Sequence, residues 1–125
     1  MFEGIINGLF HALEGWNLLL IIFGTFLGIV FGSMPGLTAT MGLALLVPFT
    51  FGMEPAAGLI MLAGIYVGAM YADAIPAILI NTPGTPAAIA TTFDGFPLAQ
   101  KGMAQQALVT AAFASFVGSI IANIV

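Results

Sequence analysis

An all-α integral membrane protein, a multi-helix bundle with discontinuous (broken or re-entrant) helices at Pro-Gly motifs, is the fold class this sequence predicts. Three observations predict it. Of the 125 residues, 61% are hydrophobic and only 5% charged, with a mean hydropathy of +1.17. A soluble domain carries about 25% charged residues, so this chain cannot cover a water-facing surface. The apolar runs do not alternate, which sets aside the β-barrel, the other structure able to satisfy its backbone in lipid. Pro35-Gly36 and Pro83-Gly84 interrupt apolar runs, and lipid tolerates a broken helix only where protein or a watery cavity covers its backbone polar groups.

The charge balance excludes several function classes. The net charge is -4, Lys101 is the only basic side chain apart from His11, and there is no Arg. Nucleic acid is excluded as a partner, because phosphate binding needs Lys and Arg. No Cys occurs, so disulfides, thiolate nucleophiles and Cys-based metal sites are absent. A lone His11 cannot make a metal site, and neither catalytic residues, a metal nor a cofactor is predicted. An intramembrane enzyme finds no Ser/Lys, His/Glu or paired-aspartate constellation, since Asp73 and Asp94 are separated by the Pro-Gly break. The amino end lacks the basic region of a cleavable signal, which leaves the first span as an uncleaved insertion signal.

The elements follow in order, within one transmembrane domain over 1–125. In residues 1–14, Phe2, Ile5, Ile6, Leu9, Phe10 and Leu13 share one helical face and Glu3, Asn7, His11 and Glu14 the other. That spacing predicts an amphipathic helix lying at the lipid interface. Residues 16–32 form the first span, with Trp16 at the depth where indoles settle. Its Gly24, Gly28 and Gly32 make a smooth stripe that predicts a close helix neighbour. Ser33 is the expected N-cap and Pro35 the first turn of a second membrane helix over 36–51. At that length it is short for a span of about 20 residues. Thr50 to Pro55 is a turn at a membrane face. Residues 56–80 return to apolar character, with Gly64, Gly68 and Ala72 as a second small-residue stripe. A broken helix and polar loop is predicted over 81–103, with Phe93-Asp94-Gly95-Phe96-Pro97 as a turn. The last membrane helix covers 104–125. It ends without a polar tail or basic anchor, which predicts the front part of a longer protein.

The stretch from Asp73 to Asp94 holds two of the six charged residues and three of the seven prolines. Free N–H groups at a helix amino end attract anions. Transporters set such ends of discontinuous helices against substrate carboxylates, while unwound carbonyls hold sodium. With almost no basic side chains, backbone dipoles are the means by which this chain would hold an anion. The candidate substrate-binding residues are Pro35, Gly36, Thr38, Asn81, Thr82, Pro83, Gly84 and Thr85. Asp73, Asn81 and Thr82 are the candidate ion-coupling residues, with sodium as a coupling ion. A carboxylate at mid-membrane costs roughly 2.5–3.5 kcal/mol on insertion scales, so it faces a cavity or a partner. The alternative for Asp73 is a helix cap or an interfacial site, and capping is equally open to Asn81, Thr82 and Thr85. Asp94 reads as a turn residue before Gly95.

Four segments carry a family resemblance: Gly32-Ser33-Met34-Pro35-Gly36-Leu37, Leu45-Leu46-Val47-Pro48-Phe49-Thr50-Phe51-Gly52, Ile78-Leu79-Ile80-Asn81-Thr82-Pro83-Gly84-Thr85-Pro86 and Asp94-Gly95-Phe96-Pro97-Leu98-Ala99-Gln100-Lys101-Gly102. In this order they resemble the amino-terminal part of TctA, the large membrane subunit of bacterial tripartite tricarboxylate transporters. The resemblance implies a multi-pass protein of the bacterial inner membrane. It also implies secondary uptake of di- or tricarboxylates such as citrate, coupled to sodium or protons. The implied partners are a small TctB-like membrane subunit and a periplasmic TctC-like solute-binding protein. After Tyr71 the family commonly shows Gly-Gly-Ser or Gly-Gly-Arg, whereas this chain has Ala72-Asp73-Ala74. That change removes flexible backbone and adds a negative charge, which bears on the substrate and the coupling ion. The alternative reading is a structural or accessory membrane subunit whose broken helices only serve packing.

Overall fold

The computed structural model describes residues 1–125 as seven helices and no strands. They are α1 (Phe2–Ala12), α2 (Gly15–Ser33), α3 (Ala39–Thr50), α4 (Pro55–Ala72), α5 (Ala74–Ile80), α6 (Pro86–Gln100) and α7 (Ala104–Ile124). Three helical stretches are long and apolar enough to cross a membrane: Gly15–Ser33, Pro55–Ile80 and Ala104–Ile124. The protein is therefore an all-α membrane bundle.

The pairing of α2 with α4 organises the fold, and the glycine stripes explain it. A Cβ on Gly24 would come within 2.5 Å of the Met61 carbonyl oxygen; on Gly28 it would strike that of Ile65, and on Gly32 that of Ala69. In the other direction, Gly64 faces the Ile21 carbonyl and Gly68 that of Thr25. Each advance of four residues along α2 advances four along α4, so the two helices run parallel. Lipid gives helices no hydrophobic reason to associate, and backbone-to-backbone approach of this kind supplies the packing instead. Leu20, Ala57, Met61 and Ile65 form the buried cluster beside the contact, with Leu27, Leu43 and Leu46 packed against it. Larger side chains such as Leu19, Phe23 and Phe26 point outward, where lipid receives them.

Because α2 and α4 are parallel, α3 must run back between them. Its 12 residues rise about 18 Å, against a hydrocarbon core of about 30 Å. The expected start of this helix at Ser33 and Pro35 is corrected by the structure. Ser33 closes α2, its hydroxyl donating to the Val30 carbonyl at 3.0 Å. The N-cap is Thr38, which accepts from the Met41 N–H at 3.3 Å. Gly36, at φ +92°, turns the chain before the helix starts, a conformation that favours glycine.

At the other end of the chain, α6 corrects the expected turn at Phe93–Pro97, which lies inside the helix. Gly95 is buried, and a Cβ there would come within 2.7 Å of Ile78 Cγ1. It is a packing glycine that lets α6 approach α5. Pro97 falls in the last turn, where the missing N–H costs one bond to the Phe93 carbonyl and does not stop the helix. α1 has no buried residue. It is joined to α2 by Asn17, which is buried and donates its amide to the His11 carbonyl at 2.7 Å. That bond caps the carboxyl end of α1.

Candidate functional site

Asp73 stands at the joint between α4 and α5. The joint has a local cause, since Pro76 has no N–H to offer the Ala72 carbonyl one turn back. Asp73 keeps helical backbone angles (φ -59°, ψ -26°), and its N–H donates to the Ala69 carbonyl at 3.2 Å. The segment Pro55–Ile80 therefore runs as a nearly continuous rod with a weakened point at Asp73.

α5 ends at Asn81, whose left-handed backbone (φ 55°, ψ 36°) is the one positive φ outside glycine. The Thr82 N–H donates back to the Pro76 carbonyl at 3.2 Å, which closes the end of α5. The chain then turns back toward Asp73. The Gly84 N–H donates to Asp73 Oδ1 at 2.9 Å, and the Thr85 hydroxyl donates to Asp73 Oδ2. Thr85 is the N-cap residue of α6 and Pro86 its first residue, a placement that suits proline. The Asp73 carboxylate therefore sits at the amino end of α6, where the helix dipole favours negative charge. A Cβ on Gly84 would overlap Asp73 Oδ1, so any other residue there would push the carboxylate aside. The Leu37 carbonyl oxygen lies 3.9 Å from the same point, which brings the two Pro-Gly segments together.

Asp73 is 6% exposed and has no basic side chain beside it. Lys101 is exposed at the carboxyl end of α6. The 15 residues of that helix amount to a rise of about 22 Å. Neutral donors and a helix end are what compensate this buried charge.

A cavity of about 580 Å³ opens beside the carboxylate, between α5, α6 and α7. Its polar lining comes from Asp73, Thr85, Thr91, Asp94, Gln106, Thr110 and Ser115, set among apolar residues such as Ile78 and Leu98. Both carboxylates of the Asp73–Asp94 stretch thus line one space. Asp94 is placed there by helix spacing, as Thr85, Ala88, Thr91, Asp94 and Leu98 recur every three or four residues along α6.

The residues singled out in the sequence divide into two groups. Asp73, Gly84 and Thr85 are brought together. Pro83 is half-buried beside them. Asn81 and Thr82 are exposed, and the Thr82 hydroxyl is spent on the Ile80 carbonyl at 3.1 Å. Pro35 and Gly36 are exposed, and Thr38 caps α3. None of these last five residues lines the cavity. Sequence reasoning missed Thr91, Gln106 and Thr110, and read Asp94 as part of a turn. The signal for Thr91 and Asp94 was their three-residue spacing, hidden by an Asp-Gly-Phe-Pro composition typical of turns.

The chain has informative relatives. The model of the family described as "Tripartite tricarboxylate transporter TctA family" matches residues 18–125. A curated protein of Agrobacterium vitis, "Uncharacterized 52.8 kDa protein in TAR-I ttuC' 3'region", is 43% identical over 113 residues. The match covers 90% of this chain and 22% of that protein, so the chain spans about a fifth of its relative's length. No solved structure matches. The family match covers nearly everything from the start of the first span onward, in a chain whose apolar helices are long enough to cross a membrane. On these grounds the chain belongs to the tripartite tricarboxylate transporter TctA family.

Proposed function

We propose that this chain contributes the membrane-embedded solute path of a secondary transporter for di- or tricarboxylates such as citrate. The coupling ion is sodium or a proton, and the system works in the bacterial inner membrane. A periplasmic TctC-like binding protein delivers the solute, and a small TctB-like membrane subunit completes the assembly. The observation that carries this reading is the break at Asn81–Thr85, whose donors meet a buried carboxylate at the edge of a mainly apolar cavity with convergent polar groups. Transporters of several folds put such helix ends where the solute binds.

The break is then a re-entrant element within the bundle. Gly84 and Thr85 supply the donors for a solute carboxylate, and Pro83 fixes the approach. Asn81 and Thr82 hold the turn that presents them. Pro35, Gly36 and Thr38 flank Leu37, whose carbonyl oxygen lies 3.9 Å from where a Cβ on Gly84 would stand. Asp73 takes the coupling cation, with Asp94 facing the same cavity. Sodium suits these oxygen ligands, since carboxylates and hydroxyls bind hard cations.

The test is uptake of labelled citrate by the full-length transporter, assembled with its two partners in proteoliposomes, in sodium chloride against choline chloride. Thr85→Val is expected to reduce uptake by about tenfold or more, as expected for loss of a hydrogen bond to a charged group, while insertion is unchanged. Full uptake by Thr85→Val would remove the break from the solute path.

A further inference from the structure

We infer that Asp73 is a built-in competitor for the solute: its carboxylate occupies the amino end of α6, and a solute carboxylate reaches Gly84 and Thr85 only by displacing it. The inference rests on the transport reading above and adds to it a residue that sets affinity.

The two donors that the break offers at this point are both taken. The Gly84 N–H points at one Asp73 oxygen and the Thr85 hydroxyl at the other. A carboxylate held by two donors at a helix amino end is the arrangement expected for a bound carboxylate solute, and here the protein supplies its own. Neither donor is free for a second carboxylate while Asp73 holds it. Asp73 Oδ1 occupies the space where a side chain on residue 84 would begin, and the Leu37 carbonyl stands on the same side. Occupancy by Asp73 and by a solute is therefore mutually exclusive.

The contact is also built to release. No basic side chain pairs with Asp73, so its charge is held only by two hydrogen bonds and the dipole of α6. A solute carboxylate can offer those donors an equal partner. The cavity of about 580 Å³ borders Asp73 directly, which gives the displaced side chain somewhere to go. The backbone beneath it is the joint of α4 and α5, where Pro76 has already removed a helical hydrogen bond. Exchange of one carboxylate for another thus needs no unfolding of either helix.

The test is hydrogen exchange at the backbone amides of residues 81–88 in the full-length transporter in lipid nanodiscs. Wild type, Asp73→Ala and Asp73→Asn are compared with and without citrate. Asp73→Ala is expected to speed exchange at Gly84 by about tenfold or more, because that amide loses its acceptor. Citrate, titrated in sodium-free buffer so that cation binding at Asp73 plays no part, is expected to restore protection in Asp73→Ala with an apparent Kd about tenfold lower than in wild type, as one displaced charged contact would give. Asp73→Asn, which keeps an acceptor but no charge, falls between the two and decides the matter if Asp73→Ala does not fold. Citrate affinity that is unchanged or weaker in both variants, with wild type still binding, would overturn the competitor alone. Faster exchange in the variants with no citrate protection in any protein would overturn the transport reading, and the competitor with it.

Discussion

Asp73 and Gly84 are 11 residues apart and joined by one hydrogen bond of 2.9 Å, with the carboxylate oxygen in the space a side chain on residue 84 would need. A change at either residue alters the contact of the other. Gly84→Ala is expected to destabilise the full-length protein by about 1.5–3 kcal/mol, the worth of a hydrogen bond to a charged group. In an Asp73→Ala background the same substitution should cost much less, because the obstructing oxygen is gone. A double-mutant cycle in detergent, followed by thermal unfolding, measures the coupling. Additive costs would show that the two residues do not meet.

The left-handed backbone of Asn81 separates a capping role from a direct one. Asn81→Gly keeps the cap and removes the side chain, so citrate uptake is expected to stay close to wild type. Asn81→Val, forced to positive φ, should cost on the order of 1–2 kcal/mol in stability. Loss of uptake in Asn81→Gly, with normal insertion, would instead put the Asn81 side chain on the solute.

The close approach of α2 and α4 makes a contrast between glycines. Gly28→Ala drives a Cβ into the Ile65 carbonyl, whereas Gly118→Ala on α7 meets nothing. The first is expected to cost about 1–3 kcal/mol as overpacking and the second to leave the melting temperature unchanged. Equal effects would mean that the helices do not pack through these stripes.

Gly95 offers a similar test against α5. Gly95→Ala should destabilise by about 1–3 kcal/mol, and part of that loss should be recovered in an Ile78→Ala background, which removes the Cγ1 atom at the contact. Thermal unfolding of the two single variants and the double variant reads this directly. No recovery would show that Gly95 serves the backbone of α6 and not its packing.

Much of this fold was legible in the sequence because membrane packing leaves a periodic trace. Gly24, Gly28 and Gly32 are spaced so that one helix face is bare, and that face meets the backbone of Met61, Ile65 and Ala69 on α4, while Gly64 and Gly68 receive Ile21 and Thr25. The direction of the pairing was not legible, since a glycine stripe has no polarity. The chain interruptions near Pro35-Gly36 and Pro83-Gly84 were visible as composition. The points where helices resume were not, because Thr38 and Thr85 lie beyond each Pro-Gly and take the N-cap positions. Asp94 and Gly95 were misread because Asp-Gly before Phe-Pro is turn chemistry locally, and only the proximity of Ile78 favours a helix there. The internal carboxylate contact was invisible for a related reason: nothing along the chain says that residue 84 returns to residue 73. Asn17 likewise gave no sign that it caps α1 through the His11 carbonyl.

The most direct measurement places a single Thr91→Cys in a cysteine-free version of the full-length transporter and follows its reaction with a water-soluble maleimide. Thr91 lines the cavity beside Asp73 and Asp94, so labelling is expected, and citrate should slow it by about tenfold at saturation as the occupied site closes to reagent. Labelling that citrate leaves untouched, or a thiol that only lipid-soluble reagents reach, would contradict a carboxylate path through this cavity.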